Sequence, residues 1–283
     1  MNDLLKKVRD LGIVPVVAID DAQKAVPLAK ALAKGGLPAA EITFRTDAAE
    51  EAIRLIAKEC PDVLIGAGTV LTKDQVDRAI AAGAQFIVSP GFNPEMVKYV
   101  LSKGCPMLPG TATPGEMEQA MSFGLNALKF FPAEQNGGIA KLKAIAGPYK
   151  NLCWMPTGGV TTKNLNDYLS FDQILACGGT WIAKGDVIEA EKWDVIENNC
   201  REAVETMLGF SFDVNTGCIK GNATFGGETV TVSTLSAPRA YAYFGRMGVK
   251  VNEDSVKTDK KGKIASFELS QKIGNLTVVI EQK

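Results

Sequence analysis

Short apolar runs and amphipathic helical stretches alternate at a steady spacing through the first two hundred residues, and this alternation limits the fold most. Eight of the runs have the length and composition of buried strands. They span residues 14–19, 40–44, 64–67, 86–88, 107–108, 127–131, 153–155 and 174–176. Eight strands, each followed by a helix, predict an α/β fold of the (β/α)8 TIM barrel type. An open doubly wound sheet is the alternative that periodicity alone leaves open.

The segments between the apolar runs carry signals for the starts and ends of helices. Thr72 and Asn93 are N-cap residue types, and Pro94 stands in the first turn that follows. A further helix is predicted over residues 47–57, and residues 1–9 form a short amphipathic helix ahead of the first strand.

The pattern changes after about residue 209. A strand region, a helix and two further strands follow, over residues 221–235, 236–247, 264–269 and 276–281. This order is typical of a small α+β domain rather than of barrel repeats. We therefore predict two domains, a barrel over residues 1–209 and a small α+β domain over residues 210–283.

Charge and hydropathy favour neither a nucleic acid nor a membrane as a partner. The chain has 31 basic and 32 acidic residues, a net charge of −1. No apolar run approaches the roughly 20 residues that a membrane helix needs. The first apolar stretch contains Pro15 and has no small-residue cleavage site after it, so we expect no signal peptide and a cytoplasmic protein.

The chain contains no histidine, which limits its chemistry more than any other count. Ser-His and Cys-His catalytic arrangements are excluded, as are zinc sites with an imidazole ligand. The six cysteines are scattered without a C-x-x-C pair, so they are predicted to be reduced and mostly buried. We expect neither a metal nor an organic cofactor.

Lys129 stands inside an apolar run, where lysine is rare because an unpaired ammonium is costly to bury. Alternation places Leu128 and Phe130 on one face of the strand and Lys129 on the other, which in a barrel is the inner face. A lysine held away from water has its neutral amine favoured, and that amine can form a Schiff base with a ketone. The alternative is a structural lysine whose ammonium reaches water at the strand end.

Glu41 raises the same question within the apolar run of residues 39–44. Without imidazole, a carboxylate in a strand is a candidate proton shuttle, and Arg45 supplies a cation nearer the strand's carboxyl end. The alternative is a buried Glu41–Arg45 ion pair. Four residues of strand span about 13 Å, which makes that contact difficult.

Three glycine-rich segments follow predicted strands. Residues 66–69 match a dinucleotide-binding motif only weakly, because the third glycine is missing. Their glycines are better explained as allowing a substrate or the backbone to approach this segment closely. Residues 156–159 and 177–180 follow the seventh and eighth strands, where barrel enzymes often bind phosphate through backbone N–H groups. Because Gly-Gly turns are common, either segment alone is moderate evidence for a phosphate site, and the two together are stronger evidence.

Six motifs together resemble one family of enzymes. They are E-I-T-F-R-T at 41–46, G-A-G-T-V at 66–70, S-P-G-F at 89–92, K-F-F-P-A-E at 129–134, P-T-G-G-V at 156–160 and G-G-T-W at 178–181. In order and spacing, from about residue 1 to 205, they resemble the class I 2-keto-3-deoxy-6-phosphogluconate (KDPG) aldolases, which also act on 4-hydroxy-2-oxoglutarate (KHG). The resemblance implies a barrel, a metal-free covalent mechanism and a homotrimer.

The resemblance also implies roles for five polar residues. Lys129 would form the Schiff base with the C2 ketone of a 2-keto acid, and Glu41 would move protons during dehydration and C–C cleavage. Arg45, Thr69 and Thr157 match positions that hold the pyruvyl carboxylate or line its pocket.

Five further residues match the rest of the substrate pocket. Gly158, Gly159, Gly179 and Thr180 correspond to its phosphate end, and Thr180 keeps a hydroxyl where many relatives have serine. Phe131 would wall the cleft, although core packing explains it equally well.

Two alternatives to a KDPG/KHG aldolase remain at this stage. One is activity on the galactonate epimer of KDPG, and the other is a non-catalytic protein that binds phosphorylated sugar acids. Residues 210–283 lie outside the aldolase resemblance and loosely resemble half of a glyoxalase/bleomycin-resistance module. We expect this half-module to serve assembly or stability.

Overall fold

The first domain is an eight-stranded parallel barrel surrounded by helices. The computed structural model describes residues 3–213 and 216–283, so Met1 and Asn2 of the predicted first helix lie outside the described residues. The barrel strands are β1 Ile13–Val17, β2 Ala39–Thr43, β3 Leu64–Gly68, β4 Ile87–Ser89, β5 Met107–Thr111, β6 Ala127–Phe130, β7 Cys153–Pro156 and β8 Cys177–Gly179. The helices are α1 Asp3–Leu11, α2 Ala25–Lys34, α3 Ala49–Glu59, α4 Lys73–Ala81, α5 Pro94–Ser102, α6 Pro114–Ser122, α7 Gly138–Ile145, α8 Leu165–Leu169, α9 Gly185–Glu189 and α10 Trp193–Leu208.

The strand order confirms the predicted TIM barrel. The strands follow one another from β1 to β7 around the ring, and β8 pairs with β1. Bridges from Trp154 to Ile174 and from Thr157 to Gly178 close the ring between β7 and β8. An open doubly wound sheet has two free edges, so this closure rules that alternative out.

Several element boundaries differ from the sequence-based prediction, among them those of the eighth strand and of helix α3. The eighth strand is formed by Cys177–Gly179 rather than by residues 174–176, because the two glycines allow close pairing with β1, while Ile174 contributes one bridge. Helix α3 begins at Ala49 rather than at Asp47, since a turn separates it from β2. Helices α4 and α5 are capped by Thr72 and Asn93 as predicted.

Helix α1 closes the amino end of the barrel. Its apolar side chains Leu5, Val8 and Leu11 belong to the same buried cluster as inward-facing residues from the strands, among them Val14 and Ala127. This plug leaves only the carboxyl end of the barrel open, which is the end where TIM-barrel enzymes carry their active sites.

The second domain is a five-stranded sheet with one helix packed on it. A short hairpin of β9 Phe210–Phe212 and β10 Ile219–Gly221 leads in from the barrel. The sheet order is β11-β12-β15-β14-β13, and the helix α11 packs against β14 and β15. Its elements are β11 Ala223–Gly226, β12 Thr229–Thr234, α11 Ala237–Arg246, β13 Val251–Thr258, β14 Ile264–Leu269 and β15 Thr277–Gln282.

Strand β13 was not predicted from the sequence. It is an edge strand with the sequence V-N-E-D-S-V-K-T, and most of its side chains are exposed. A strand that buries neither face has no apolar alternation for a sequence-based prediction to use.

The second domain packs on the closed end of the barrel, chiefly through α11 and α1. Arg239 of α11 donates hydrogen bonds to the carbonyls of Arg9 and Leu169, at 3.2 and 3.3 Å. The Leu208 carbonyl accepts from the Thr234 hydroxyl at 2.8 Å and from the Leu235 N–H at 2.9 Å. The second domain therefore lies at the opposite end from the barrel's open mouth.

The six cysteines are all free thiols. Cys60, Cys105, Cys177 and Cys200 are buried, while Cys153 is half-buried and Cys218 is exposed. Across residues 3–213 and 216–283, no helix has the length and apolar character needed to cross a membrane.

Candidate active site

The centre of the barrel holds a buried pair of opposite charges. The Lys129 Nζ atom donates a hydrogen bond to Glu41 Oε1 at 3.1 Å. Lys129 is 5% exposed and Glu41 is fully buried, so this is an ion pair inside the protein rather than on its surface. The second carboxylate oxygen, Oε2, is buried and has no hydrogen-bond partner. A buried acceptor of this kind is costly unless a water or a substrate hydroxyl reaches it.

Strand alternation puts both side chains on the inner face of the barrel. On β6, Leu128 and Phe130 pack with the core beneath the outer helices, and Lys129 lies between them. On β2, Ile42 packs outward in the same way, so Glu41 points inward. Arg45 lies on the exposed turn after β2, and Glu41 pairs with Lys129 rather than with Arg45.

Two buried threonines that the sequence analysis did not select lie beside this pair. The Thr111 hydroxyl donates to the Lys129 carbonyl at 3.2 Å, and the Thr43 hydroxyl donates to the Val17 carbonyl at 2.9 Å. Both hydroxyls hold neighbouring strands in register near the site. Thr43 could have been found, because it stands two residues after Glu41 and so shares its face.

The glycines of β3 make room for side chains inside the barrel. A Cβ on Gly68 would lie 2.2 Å from Glu41 Oε1, and a Cβ on Gly66 would lie 2.3 Å from the Phe86 ring. The sequence alone favours a close approach of a substrate or of the backbone as the role of these glycines. The structure instead gives them a packing role, which at Gly68 fixes where the catalytic candidate Glu41 can sit.

Three hydroxyl or cationic side chains stand at or near the carboxyl ends of the strands. Arg45 is exposed, and Thr69 follows β3 with a φ of 55°. This left-handed conformation is strained for a β-branched residue, and such strain is concentrated at functional sites. Thr157 is 2% exposed, and its buried hydroxyl oxygen has no hydrogen-bond partner. Each of these groups is available to a ligand.

The loops after β7 and β8 form a second polar region at the same end. Gly158 and Gly159 both have positive φ, 97° and 80°, which only glycine adopts without strain. Gly179 is buried, and Thr180 after it is exposed. Among the described residues, the backbone hydrogen bonds outside helices and strands do not use the N–H of Gly159 or Thr180. Free N–H groups in a glycine turn are suited to an anion.

A hydrogen-bonded pair of the buried Tyr168 phenol and the exposed Glu134 carboxylate supports the Gly158-Gly159 turn, and nothing in the sequence indicated it. The Tyr168 hydroxyl donates to the Glu134 carboxylate, and the Glu134 N–H donates to the Gly158 carbonyl at 3.1 Å. Burial and the Glu134 carboxylate raise the pKa of Tyr168 far above its usual range, so it remains a donor. Phe131 lies beside Lys129, with its ring centre 5.3 Å from Lys129 Nζ.

Known proteins share this architecture and much of the sequence. A family model described as KDPG and KHG aldolase matches residues 4–199. A 2-dehydro-3-deoxy-phosphogluconate aldolase of Haemophilus influenzae is 48% identical over 204 residues, which are 72% of this chain and 96% of the relative. The KHG/KDPG aldolase of Escherichia coli K12 is 45% identical over 193 residues, covering 68% of this chain and 91% of the relative.

A solved structure agrees with the sequence comparison. The KDPG aldolase of Legionella pneumophila, with pyruvate captured at low pH as a covalent carbinolamine intermediate, has a TM-score of 0.69 and 37% identity. The match covers 71% of this chain and 98% of that structure. This chain therefore belongs to the KDPG and KHG aldolase family, a family of lyases.

Proposed function

We propose that Lys129 forms a Schiff base with the ketone of a 2-keto acid, and that the chain is a class I aldolase acting on KDPG, KHG or both. The observation that carries this proposal is the buried lysine amine 3.1 Å from a fully buried carboxylate. A protein that only bound its ligand would gain nothing from a charged pair that is costly to bury.

The two residues divide the chemistry between them. Glu41 takes a proton from the Lys129 ammonium, and the free amine attacks the C2 carbonyl to give a carbinolamine. Glu41 then returns the proton, with which the C2 hydroxyl leaves as water. Glu41 then accepts the proton of the C4 hydroxyl, directly or through water, while the C3–C4 bond breaks. The bonding electrons move into the iminium and give an enamine, and the aldehyde leaves. Protonation at C3 and hydrolysis then release pyruvate and restore the free amine.

The pyruvyl carboxylate is held at the carboxyl ends of the strands. Arg45 supplies the cation, and Thr69 and Thr157 supply hydroxyl donors. The unpartnered hydroxyl of Thr157 supports this assignment, because a buried hydroxyl without an acceptor is stabilised when a ligand oxygen reaches it. Phe131 forms an apolar wall beside the Schiff base.

The distal phosphate of KDPG binds the free N–H groups after β7 and β8. Gly158, Gly159, Gly179 and Thr180 form this region, and it requires no cationic side chain. Cleavage of KDPG gives pyruvate and glyceraldehyde 3-phosphate, and cleavage of KHG gives pyruvate and glyoxylate. The name of the Escherichia coli relative, which includes both substrates, supports activity on both.

Borohydride reduction in the presence of pyruvate tests the Schiff base. A stable adduct on the peptide that contains Lys129 is expected, and an unmodified chain would contradict the proposal and favour a binding protein. Steady-state rates on KDPG, its galactonate epimer and KHG test the substrate. A faster rate on the epimer than on KDPG would make this a 2-keto-3-deoxy-6-phosphogalactonate aldolase.

The second domain serves assembly or stability in this proposal, and the catalytic residues all lie in residues 1–209. Its position on the closed end of the barrel supports this division, because the hydrogen bond and ion pair found for Lys129 and Glu41 among the described residues join them to each other. We further propose that the chain forms a homo-oligomer, a trimer by resemblance to the family. Light scattering of the purified chain measures the number of subunits.

A further inference from the structure

A cleft separates the second domain from the barrel, away from the proposed active site. It has a volume of about 770 Å³ and is bordered by α1, the segment after α8, the start of α11 and the β13–β14 turn. Its lining includes Arg9 and Asp172 from the barrel and Arg239, Lys261 and Lys263 from the second domain. We call this space the interdomain cleft. Its size is that of pockets that hold small metabolites, which are about 300–1,000 Å³.

Basic side chains outnumber acidic ones in the interdomain cleft, five to three. Two of the three carboxylates already have partners within the protein. Asp172 pairs with Lys263 at 2.9 Å and with Lys261 at 3.5 Å. Asp259 accepts the backbone N–H groups of Lys261 and Lys263, at 2.8 and 2.9 Å, within its own turn. The third, Asp10, has no ion pair within 4 Å among the described residues, but its carboxylate interacts electrostatically with Arg246, Arg239 and Arg9.

The hydrogen bonds of the cleft arginines go to neutral groups, and the Asp10 carboxylate acts on both arginines without a direct bond. Arg239 is 9% exposed, and its Nε and Nη1 atoms donate to the backbone carbonyls of Arg9 and Leu169. Its Nη2 atom has no hydrogen bond in the described part of the chain. Arg9 donates to the Cys153 sulfur at 2.9 Å and to the Asp172 carbonyl at 3.5 Å, and its Nε atom is buried without a partner. A guanidinium removed from water without a directly bonded anion is costly to bury.

We propose that the interdomain cleft binds a small organic anion, with a carboxylate or phosphate group on Arg239 and further negative charge near Lys261 and Lys263. The planar guanidinium of Arg239 can present its free Nη2 donor to an oxyanion, which is the group that arginine recognises best. Burial lowers the pKa of Arg239, and an anion would offset that effect.

An anion in this cleft contacts both domains at once. Arg9 belongs to α1 of the barrel, whereas Arg239, Lys261 and Lys263 belong to the second domain. Binding therefore stabilises the docked arrangement of the two domains and raises the unfolding temperature of the full chain. The site is separate from the proposed active site, because α1 closes the barrel between them.

Calorimetric titration of the full-length chain tests this proposal, with citrate as the carboxylate probe and inorganic phosphate as the phosphate probe. The active site can also hold these anions, so the decisive readout is the difference between variants. Lys261→Gln/Lys263→Gln should weaken cleft binding about threefold or more, as expected for exposed charges. Lys257→Gln removes one exposed charge from β13, outside the cleft, and should change nothing.

Arg239→Lys keeps the charge but removes the planar donor set, and should weaken binding about tenfold or more. If that variant does not fold, the double lysine variant decides, since both lysines are exposed. Loss of citrate binding alone, or of phosphate binding alone, identifies the anion that the cleft prefers. Affinities that are equal in all variants, or no binding of either probe up to about 10 mM, would overturn the proposal.

Discussion

Lys129 Nζ and Glu41 Oε1 lie 3.1 Å apart although their residues are 88 positions apart in the chain. Their strands, β6 and β2, are four places apart in either direction around the eight-stranded ring, so they face each other across it. Two long inward side chains on opposite strands meet near the barrel axis. The closure of the barrel thus creates the pair, and neither strand alone specifies it.

Replacing Lys129 by methionine should abolish the pyruvate adduct and reduce turnover to below about 1% of wild type, because no other lysine in the described part of the chain is buried. Mass spectrometry after borohydride treatment measures the adduct, and a coupled pyruvate assay measures turnover. Activity well above that level would contradict the Schiff-base role of Lys129.

The same substitution should lower stability, because it leaves the Glu41 carboxylate buried without a cation. Removing one partner of a buried ion pair costs about 3–5 kcal/mol. Lys129→Met/Glu41→Gln removes both charges and should recover much of that loss in a urea titration. If the single and double variants are equally stable, the two charges are not coupled as their distance indicates.

Glu41→Gln should lower turnover about 100-fold or more, which is the usual contribution of a general acid–base group. The amide keeps the shape of the side chain and still reaches Lys129, so the adduct should form slowly but detectably. Single-turnover trapping with pyruvate separates adduct formation from cleavage. A fully active variant would exclude Glu41 as the proton shuttle and make Glu134 or a bound water the candidate.

The sequence predicted those parts of the site that follow from periodicity within one strand. Lys129 and Glu41 interrupt apolar runs, and alternation alone gave the face on which each lies. Their contact could not be predicted, because it depends on strand order and closure. The positive φ of Thr69 and the unpartnered hydroxyl of Thr157 could not be predicted either, because neighbouring strands determine both. Edge strand β13 was missed because it buries no face.

Gly68→Ala should reduce turnover by displacing the proposed shuttle. Its methyl group would lie 2.2 Å from Glu41 Oε1, so the carboxylate must move. Gly66→Ala, two residues earlier on β3, meets the Phe86 ring instead and should act mainly on stability. Gly147→Ala, outside the six motifs, meets nothing within 4 Å and is the neutral control. The three variants are compared at the same folded fraction. If all three lose turnover equally, Gly68 does not act on catalysis through the position of Glu41.

Chelation with EDTA should leave turnover unchanged. In the proposed mechanism the iminium on Lys129 accepts the electrons of the breaking bond, so no Lewis acid is required. The chain has no histidine, and residues 3–213 and 216–283 bring together no cluster of three cysteine or acidic side chains that could hold a metal. Activity that falls on chelation and returns with a divalent ion would contradict the class I mechanism.

Truncation after Gly209 should separate stability from catalysis. The second domain covers part of the barrel's closed end. Tyr243 packs against Gly36, where an added Cβ would lie 3.1 Å from its ring. Arg239 donates hydrogen bonds to the carbonyls of Arg9 and Leu169. Removing it exposes apolar surface on α10 and frees those carbonyls, so the unfolding temperature should fall by about 5 °C or more.

The truncated barrel should nevertheless form the Lys129 adduct and cleave substrate, because β2 and β6 and the open end of the barrel are untouched. Phe225→Ala is the matched control in the full chain, since Phe225 is 75% exposed on edge strand β11. That variant should keep both stability and activity. Light scattering of the three proteins shows whether the second domain also sets the number of subunits. A truncated chain that is as stable as the full one and yet inactive would mean that the second domain contributes to the active site.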